Sequence, residues 1–241
     1  MADLTQLPRF YKPDLQQGEG ILDGTEAHHC LHVLRMKAGD KIVLTDGLGH
    51  LAAATIVHAG KKEVQFRTGE WIHAAGPEPG IHIAIAPTKG NDRFEWFLEK
   101  ATEMGVAAIT PLLCQHGERA RFKPDRWEKI LVAAMKQCQR DYLPELHEAT
   151  TFQAFLNSKL PEQTFMAHRG SEEDVPPHLA DVLNGTEEAV VMIGPEGDFS
   201  QQELALATSK NIRMVSLGSR RLRTETAGLS AVATYATLSK R

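Results

Sequence analysis

The chain has 241 residues, of which 42% are hydrophobic and 24% charged, and its formal net charge at pH 7 is -4. This length and composition are typical of a globular protein with room for two domains. The slightly negative charge argues against a strongly basic protein that coats nucleic acid without specificity, although it allows a local basic patch.

The sequence gives no indication of a membrane, secreted or metal-binding protein. No apolar run approaches the length of a transmembrane helix, and the first residues lack the basic and apolar regions of a signal peptide. Cys30, Cys114 and Cys138 are widely spaced, which fits reduced thiols better than disulfides. The histidine-rich segment 28–32 has no matching cysteine or carboxylate cluster. We therefore expect a cytoplasmic protein without a bound metal.

Residues 1–73 predict a small β-rich domain. A short helix is predicted from Gly24 to Leu34, with Thr25 as its cap, and Asp46-Gly47 is a turn signal between two strands. Short strands at this spacing are typical of a small barrel. The predicted strands are Lys41–Thr45, Leu51–His58 and Glu63–Thr68.

Basic and aromatic residues occur together in this first domain. Such a combination suits single-stranded RNA, since cations bind phosphates and aromatic rings stack on bases. The same residues are also compatible with an ordinary solvated surface. They are Arg9, Phe10, Tyr11, Lys12, Arg35 and Lys37.

Residues 74–79, rich in glycine and proline, predict a linker, and from residue 80 onward strands and helices alternate. This alternation predicts a parallel sheet with helices on both faces. The predicted strands are Ile81–Ala86, Val106–Leu113 (broken by Pro111), Thr164–Ala167, Ala189–Ile193 and Met214–Leu217. The predicted helices are Asp92–Glu103, Asp125–Cys138, Phe152–Leu156 and an uncharged C-terminal helix, Ala227–Leu238.

Two glycine-bearing loops follow the last two predicted strands. The first reads GPEGDFS from Gly194 to Ser200, and Ser200 with Glu203 matches a capping box at the start of a helix. The second, LGSRRLRTETAGLSA, runs from Leu217 to Ala231 and contains an arginine cluster. In open α/β sheets such loops bind ligands at the carboxyl ends of strands. A basic surface turn before a helix is the alternative for the second loop.

These two motifs resemble the family of 16S ribosomal RNA uridine-N3 methyltransferases (the RsmE family) of the SPOUT superfamily. The resemblance extends to Lys89-Gly90 with Arg93, to the segment 100–106, to Gln137, Arg140 and Pro144, and to the N-terminal residues 9–11 and 29–35. The chain departs from the family pattern at Met104, Lys136, Asp198 and Arg221. Asp198 stands where a second glycine is usual, and Arg221 replaces an aliphatic residue.

The resemblance implies an α/β fold with a SPOUT-type trefoil-knotted domain, residues 80–241, after a small PUA-like RNA-binding β-barrel, residues 1–73. It implies S-adenosylmethionine as the cofactor, held by three loops. The implied cofactor-binding residues are Met166, Ile193, Gly194, Pro195, Glu196, Gly197, Leu217, Gly218, Leu222, Arg223, Thr226 and Ala227. The implied RNA-binding residues are Arg9, Phe10, Tyr11, Arg35, Lys37, Lys89 and Arg93.

Methylation of a uridine imide nitrogen requires loss of its proton, which a carboxylate can accept while a fixed cation stabilises the anion. The candidate catalytic residues are Arg140, Arg223, Glu196 and Glu225. Structural roles are equally compatible with the sequence. Glu225 can pair with Arg220 or Arg221, Arg140 can dock a local turn, and Glu196 can cap a helix.

The main hypothesis is methylation of uridine N3 in 16S ribosomal RNA within the small ribosomal subunit. The alternative is a non-catalytic RNA-binding assembly factor, which Asp198 and Arg221 would favour. A nucleotide-binding metabolic enzyme is less consistent, because phosphate-loop and dinucleotide fingerprints are absent. The resemblance and the apolar stripe of Leu229, Val232, Ala233 and Ala236 predict a homodimer, and burial of this helix within one chain is the alternative.

Overall fold

Two different hydrophobic patterns fold into two different sheets. The computed structural model describes residues 6–73, 76, 78–117, 122–170 and 175–239. Contacts divide the chain into two units, Met1–Glu78 with Met135–Leu143 and Pro79–Ala134 with Pro144–Arg241. Within the predicted linker, residues 74, 75 and 77 lie outside the described residues.

The first unit is built on one curled sheet. Its strands are β1 (Arg9–Tyr11), β2 (Glu19–Leu22), β3 (Lys41–Thr45), β4 (His50–Ala59) and β5 (Val64–His73). They lie in the order β1-β3-β4-β5-β2, with β1 parallel to β3 and the other pairs antiparallel. The three predicted strands are confirmed. Irregular register between β4 and β5 is typical of β-bulges, which bend strands.

The predicted helix in this unit is divided into two parts. Helix α1 (Gly24–His28) continues into a π-helical turn, His29–Val33. The expected Thr25 cap is wrong, because Asp23 occupies the N-cap position and its side chain makes no capping hydrogen bond. The segment then turns at Arg35, which has a φ of 55°. Residues 32–35 are therefore presented at the surface.

The second sheet is parallel. Its strands are β6 (Ile81–Ile85), β7 (Ala108–Leu113), β8 (Glu145–Leu146), β9 (Thr150–Thr151), β10 (Gln163–Ala167), β11 (Ala189–Ile193) and β12 (Arg213–Val215). The helices are α2 (Asn91–Glu103), α3 (Pro124–Gln137), α4 (Phe152–Leu156), α5 (Leu179–Val182), α6 (Gln201–Ser209) and α7 (Thr224–Leu238). The α/β alternation predicted from the sequence is confirmed.

The order of strands brings three loops together. Strands follow β12-β10-β11-β6-β7-β8, and β9 pairs with β7. From β6 the chain first adds strands on one side and later fills the other side with β10, β11 and β12. Because these last three strands are parallel neighbours, the loops that follow them emerge at one edge. Such a reversal of strand order is where open α/β sheets bind ligands.

Pro111 does not break its strand as predicted, since β7 continues through it in register with β6. The missing proline N–H costs nothing there. The carbonyl of Ile109, two residues earlier, accepts a hydrogen bond from the His147 amide. Because the backbone groups of residues two apart point to the same side of a strand, the backbone nitrogen of Pro111 faces that side too. On that side β7 pairs with β8 before Pro111 and with β9 after it. Proline therefore lies in the gap between two partner strands.

A chain of polar side chains crosses one face of this sheet. Thr110 Oγ1 lies 2.7 Å from His82 Nε2 and 2.7 Å from His147 Nδ1. His147 Nε2 lies 3.1 Å from a carboxylate oxygen of Glu145. Burial, and to a smaller extent His147, lowers the pKa of His82 from 6.5 to about 4, whereas Glu145 opposes the shift. His82 is therefore neutral in the folded protein near pH 7.

We expect His82 to make stability depend on pH. The unfolded chain binds a proton at His82 below about pH 6.5 while the folded chain does not, so stability falls as the pH drops from 6.5 towards 4. Between pH 7.5 and 5 this one residue should account for about 2 kcal/mol. Urea unfolding of the native protein and of His82→Gln at both pH values measures the difference. Equal losses of stability in the two proteins would contradict the assignment.

Candidate active site

A cleft of about 320 Å³ opens at the carboxyl ends of β10, β11 and β12. The three loops that follow these strands form its walls, together with the first two turns of α7. The lining residues are Ala167, His168, Arg169, Gly170, Ile193, Gly194, Pro195, Glu196, Asp198, Ser216, Leu217, Gly218, Arg220, Arg221, Leu222, Thr224 and Ala227.

The loop after β11 is fixed at both ends. The predicted capping box is confirmed: Ser200 Oγ accepts from the Glu203 amide, and the Glu203 carboxylate accepts from the Ser200 amide. At the other end, Thr224 Oγ1 donates to the carbonyl of Gly194 at 3.1 Å, which joins this loop to α7. The loop backbone is therefore held in position for a ligand.

The loop after β12 approaches the cleft with a glycine. Strand β12 ends at Val215, two residues before the predicted end, and Ser216 Oγ accepts from the Gly218 amide at 3.1 Å. Gly218 has a φ of 116°, a conformation that side-chain-bearing residues rarely adopt. A Cβ added there would meet no described atom within 4 Å beyond its chain neighbours. Gly218 therefore leaves open space beside the cleft.

The charged residues of the cleft are partly paired. Glu196, which the sequence offered as a helix cap, instead forms a 2.9 Å ion pair with Arg93 of α2. Arg221 donates to the Glu196 carbonyl at 3.4 Å. Asp198 lies 3.2 Å from His168 Nδ1. Arginines and carboxylates therefore face the same cleft, as a zwitterionic ligand requires.

Glu225 lies in the first turn of α7 and is only 7% exposed. Its Oε2 atom has no hydrogen-bond partner among the described residues, and no ion pair with Arg220 or Arg221 forms within them. The proposed structural pairing of Glu225 with these arginines is therefore not found. A buried carboxylate oxygen without a partner is costly, which is typical of functional positions.

Eight of the twelve residues that the resemblance implied for the cofactor line this cleft. They are Ile193, Gly194, Pro195, Glu196, Leu217, Gly218, Leu222 and Ala227. The other four do not. Met166 is fully buried in the core below the cleft, Gly197 packs against His116, Arg223 is the N-cap residue of α7, and Thr226 is exposed.

The first wall of the cleft begins after Met166. Strand β10 ends at Ala167, as predicted, and His168 and Arg169, rather than Met166, reach the cleft. The loop His168–Gly170 was visible in the sequence, but its residues were not assigned to the site. Asp198, Arg220 and Arg221 were noted only as neighbours of the glycines. Their positions depend on loop conformations that a local pattern does not determine.

The N-terminal candidates divide into buried and exposed residues. The prediction that Phe10 binds RNA is wrong, because Phe10 is fully buried in the core of the first unit and offers no ring face to a base. The guanidinium of Arg9 is already bound within the protein, because its Nη1 donates to the carbonyl of Arg140 at 3.0 Å and to Asp141 Oδ1 at 3.1 Å. Arg35 and Lys37 are exposed. Arg140 belongs to this first unit rather than to the unit that contains the cleft.

The cleft fits S-adenosylmethionine in size and in chemistry. Its volume is at the lower end of small-molecule sites. Glycine backbone, apolar Leu217 and Leu222, and charged groups of both signs match a nucleoside joined to an amino acid. Among the described residues, no group of three or more potential ligands is arranged for a metal ion. The helices within the described ranges include none long and apolar enough to cross a membrane.

Comparison with known proteins gives a consistent result. A family model for the RNA methyltransferase domain matches residues 76–236, and one for the RNA methyltransferase PUA domain matches residues 22–68. A ribosomal RNA small subunit methyltransferase E from a Synechocystis species is 30% identical, over 88% of this chain and 71% of its own length.

Two solved structures share the fold over nearly the whole chain. A probable rRNA-methyltransferase from Porphyromonas gingivalis has 38% identity and a TM-score of 0.88, covering 96% of this chain and 98% of the other. The ribosomal RNA small subunit methyltransferase E of Neisseria gonorrhoeae, solved with S-adenosylmethionine, has 29% identity and a TM-score of 0.82, covering 97% and 98%. The chain therefore belongs to the ribosomal RNA small subunit methyltransferase E family of RNA methyltransferases, with a SPOUT-type α/β domain and a PUA-like N-terminal domain.

Proposed function

We propose that this protein transfers a methyl group from S-adenosylmethionine to N3 of a uridine in 16S ribosomal RNA, acting on the small ribosomal subunit in the cytoplasm. The observation that carries this proposal is the cleft of three loops with Gly194 and Gly218 in its walls. Family membership supports the substrate class, and the resemblance of both loop motifs supports the uridine N3 specificity.

The cleft residues have separate roles in this proposal. The bound cofactor supplies a methyl group activated by a sulfonium. The backbone of Gly194 and Gly218 allows close approach of the nucleoside, and Leu217 and Leu222 exclude water from it. Arg220 and Arg221 provide positive charge for a carboxylate or a phosphate. Methyl transfer is an in-line displacement, so fixed positions of donor and acceptor provide much of the rate.

The proton on uridine N3 needs an acceptor. Glu225 is the better candidate, since its buried Oε2 has no partner among the described residues, whereas Glu196 is neutralised by Arg93. Arg223, which precedes α7 and is exposed, is the candidate cation for the resulting anion. Arg140 is kept only as a candidate that a partner chain would supply.

The N-terminal unit, residues 1–73 in the sequence-based division, is proposed to bind RNA, and residues 80–241 to carry out methyl transfer. Burial of Phe10 and the bonds of Arg9 remove these two residues from the RNA-binding set. Arg35 and Lys37, which are exposed, and Tyr11, which is partly exposed, remain in the set. In the second unit, Lys89 and Arg93 stay candidates at the start of α2.

Arg35→Ala should weaken binding to small-subunit RNA and make the affinity less dependent on salt, because one fewer phosphate contact releases fewer counterions. The expected slope of log K against log salt falls by about one unit. Fluorescence titration at four salt concentrations measures it. Arg67→Ala is the control, since Arg67 is exposed on the same unit but paired with Glu19. Equal slopes for Arg35→Ala and the native protein would exclude this contact.

A homodimer through α7 is also proposed. The helix carries one charged residue, Glu225, and that residue is buried. Val232 is fully buried as predicted, whereas Leu229, Ala233 and Ala236 on the same stripe remain partly exposed. A helix face of small uncharged residues suits contact with a second copy. In the proposed dimer, Arg140 of one chain would supply a cation to the cleft of its partner.

Introducing charge on this face tests the dimer. Ala233→Glu should convert the protein from dimer to monomer in sedimentation at micromolar concentration, whereas Gln201→Glu, at an exposed position of α6, should not. If the site is shared, mixing Arg140→Ala and Gly218→Val subunits should restore part of the activity. A native protein that sediments as a monomer would exclude both ideas.

Transfer of a labelled methyl group tests the proposed function itself. Purified protein, labelled S-adenosylmethionine and small ribosomal subunits lacking the modification should yield label in 16S ribosomal RNA. The proposal would be contradicted if the labelled methyl group appeared only in other RNA, or if no RNA were labelled at saturating cofactor.

A further inference from the structure

Asp198 has a backbone conformation that is unfavourable for a residue with a side chain. Its φ is 63°, in the left-handed region where glycine is the unstrained residue. The resemblance likewise places a glycine at this position. An aspartate there destabilises the loop slightly and adds a carboxylate to the cleft wall. Such strain is typical of functional positions.

The carboxylate of Asp198 is held in a defined orientation. Its Oδ1 accepts from the Phe199 amide at 2.8 Å, and its backbone amide donates to the Pro195 carbonyl at 2.9 Å. Its Oδ2 lies 3.2 Å from His168 Nδ1 on the opposite loop. The side chain remains 52% exposed, and Asp198 lines the cleft. One carboxylate oxygen is therefore anchored by a backbone amide, and the other lies beside His168 at the wall of the cleft.

His168 completes the arrangement. Its Nδ1 is buried, and although Asp198 lies within ion-pair distance, no described atom makes an aligned hydrogen bond to this nitrogen. Its backbone amide donates to the Val215 carbonyl at 2.9 Å, which fixes the residue beside β12. An unsatisfied buried ring nitrogen costs free energy unless ligand binding aligns it. The pair therefore joins two of the three cleft loops in a state suited to a ligand.

We propose that Asp198, positioned by His168, recognises the methyl donor by accepting a hydrogen bond from a donor group of the bound S-adenosylmethionine. This inference rests on the proposed function of the cleft. The group recognised is either a ribose hydroxyl or the α-ammonium, both of which a carboxylate accepts. Glu196 does not compete for this role, because Arg93 occupies it.

Stability and affinity should change in opposite directions in Asp198→Gly. Glycine relieves the left-handed strain, so the melting temperature should stay equal or rise. Loss of the carboxylate should weaken S-adenosylhomocysteine binding about ten- to a hundredfold. Asn211→Gly is the matched control. Asn211 has a φ of 58° after α6, outside the lining of the cleft, so its glycine variant should gain stability without losing affinity.

Calorimetry with two ligands identifies the recognised group. 5′-Methylthioadenosine has the ribose hydroxyls but no ammonium, whereas S-adenosylhomocysteine has both. Asp198→Gly and Asp198→Asn should weaken both ligands if Asp198 binds the ribose, and only the second if it binds the ammonium. His168→Gln should weaken binding less, and should have no further effect in an Asp198→Gly background, because it acts through Asp198.

Unchanged affinity of both Asp198 variants for both ligands would overturn the inference while leaving the proposed function intact. Failure of the native protein to bind S-adenosylhomocysteine would overturn both. A fall in the melting temperature of Asp198→Gly, together with unchanged affinity of Asp198→Asn for both ligands, would show that the pair has only a structural role.

Discussion

Gly218→Val is expected to abolish measurable binding of S-adenosylhomocysteine, with at least a hundredfold loss of affinity. The valine side chain would occupy the open space beside the cleft that glycine, which has no side chain, leaves free. It would also be strained at a φ of 116°. A hundredfold loss corresponds to about 2.7 kcal/mol of binding free energy. Calorimetry at 25 °C measures it.

Gly39→Val separates the effect of backbone strain from the effect of a side chain that fills the cofactor cleft. Gly39 also has a positive φ, 96°, and a Cβ there would likewise meet no described atom within 4 Å, but it lies in the first unit. It should lose about 1–2 kcal/mol of stability from strain and keep its affinity. Native affinity in Gly218→Val would show that the cleft does not bind the cofactor.

Gly228→Val should destabilise the second unit by about 3 kcal/mol. A Cβ at Gly228 would lie 2.7 Å from Phe97 Cε2 and 2.9 Å from Ile85 Cδ1. Both neighbours are fully buried, so neither has room to move, and overpacking is costly. Because Thr224 of the same helix bonds Gly194 in the cleft, a displaced α7 should weaken cofactor binding as well.

Urea unfolding of Gly228→Val, with Thr237→Val as control, tests this packing. Thr237 is exposed on the same helix and lies outside the proposed dimer stripe, so its change should stay within about 0.5 kcal/mol. Equal stability of Gly228→Val and Thr237→Val would show that α7 does not pack against α2 and β6 as described.

Local chemistry predicted the parts of the fold that depend on neighbouring residues. Ser200 and Glu203 form the capping box that their spacing indicates, because its bonds close within four residues. The strands of both sheets follow from short apolar and β-branched runs. The SPOUT fold, its knot and its cofactor came from the resemblance alone, since no periodicity predicts a strand order of β12-β10-β11-β6.

The errors come from contacts between distant residues. Phe10 looked like a base-stacking residue beside Arg9, but its pairing with Leu44 of β3 places it in the core. Met166 was assigned to the cleft although the predicted strand ends at Ala167, as β10 does, and Met166 is instead fully buried in the core. The contact of Asp198 with His168 joins loops 30 residues apart, and only the folded sheet brings them together.

Nucleoside mass spectrometry most directly tests the proposed methylation of uridine N3 in 16S ribosomal RNA. Ribosomal RNA from cells that lack this protein should contain unmodified uridine where the parent cells have N3-methyluridine. Supplying the native protein should restore the modification, whereas Gly218→Val should not. Undiminished N3-methyluridine in 16S ribosomal RNA of the deficient cells would contradict the proposed function.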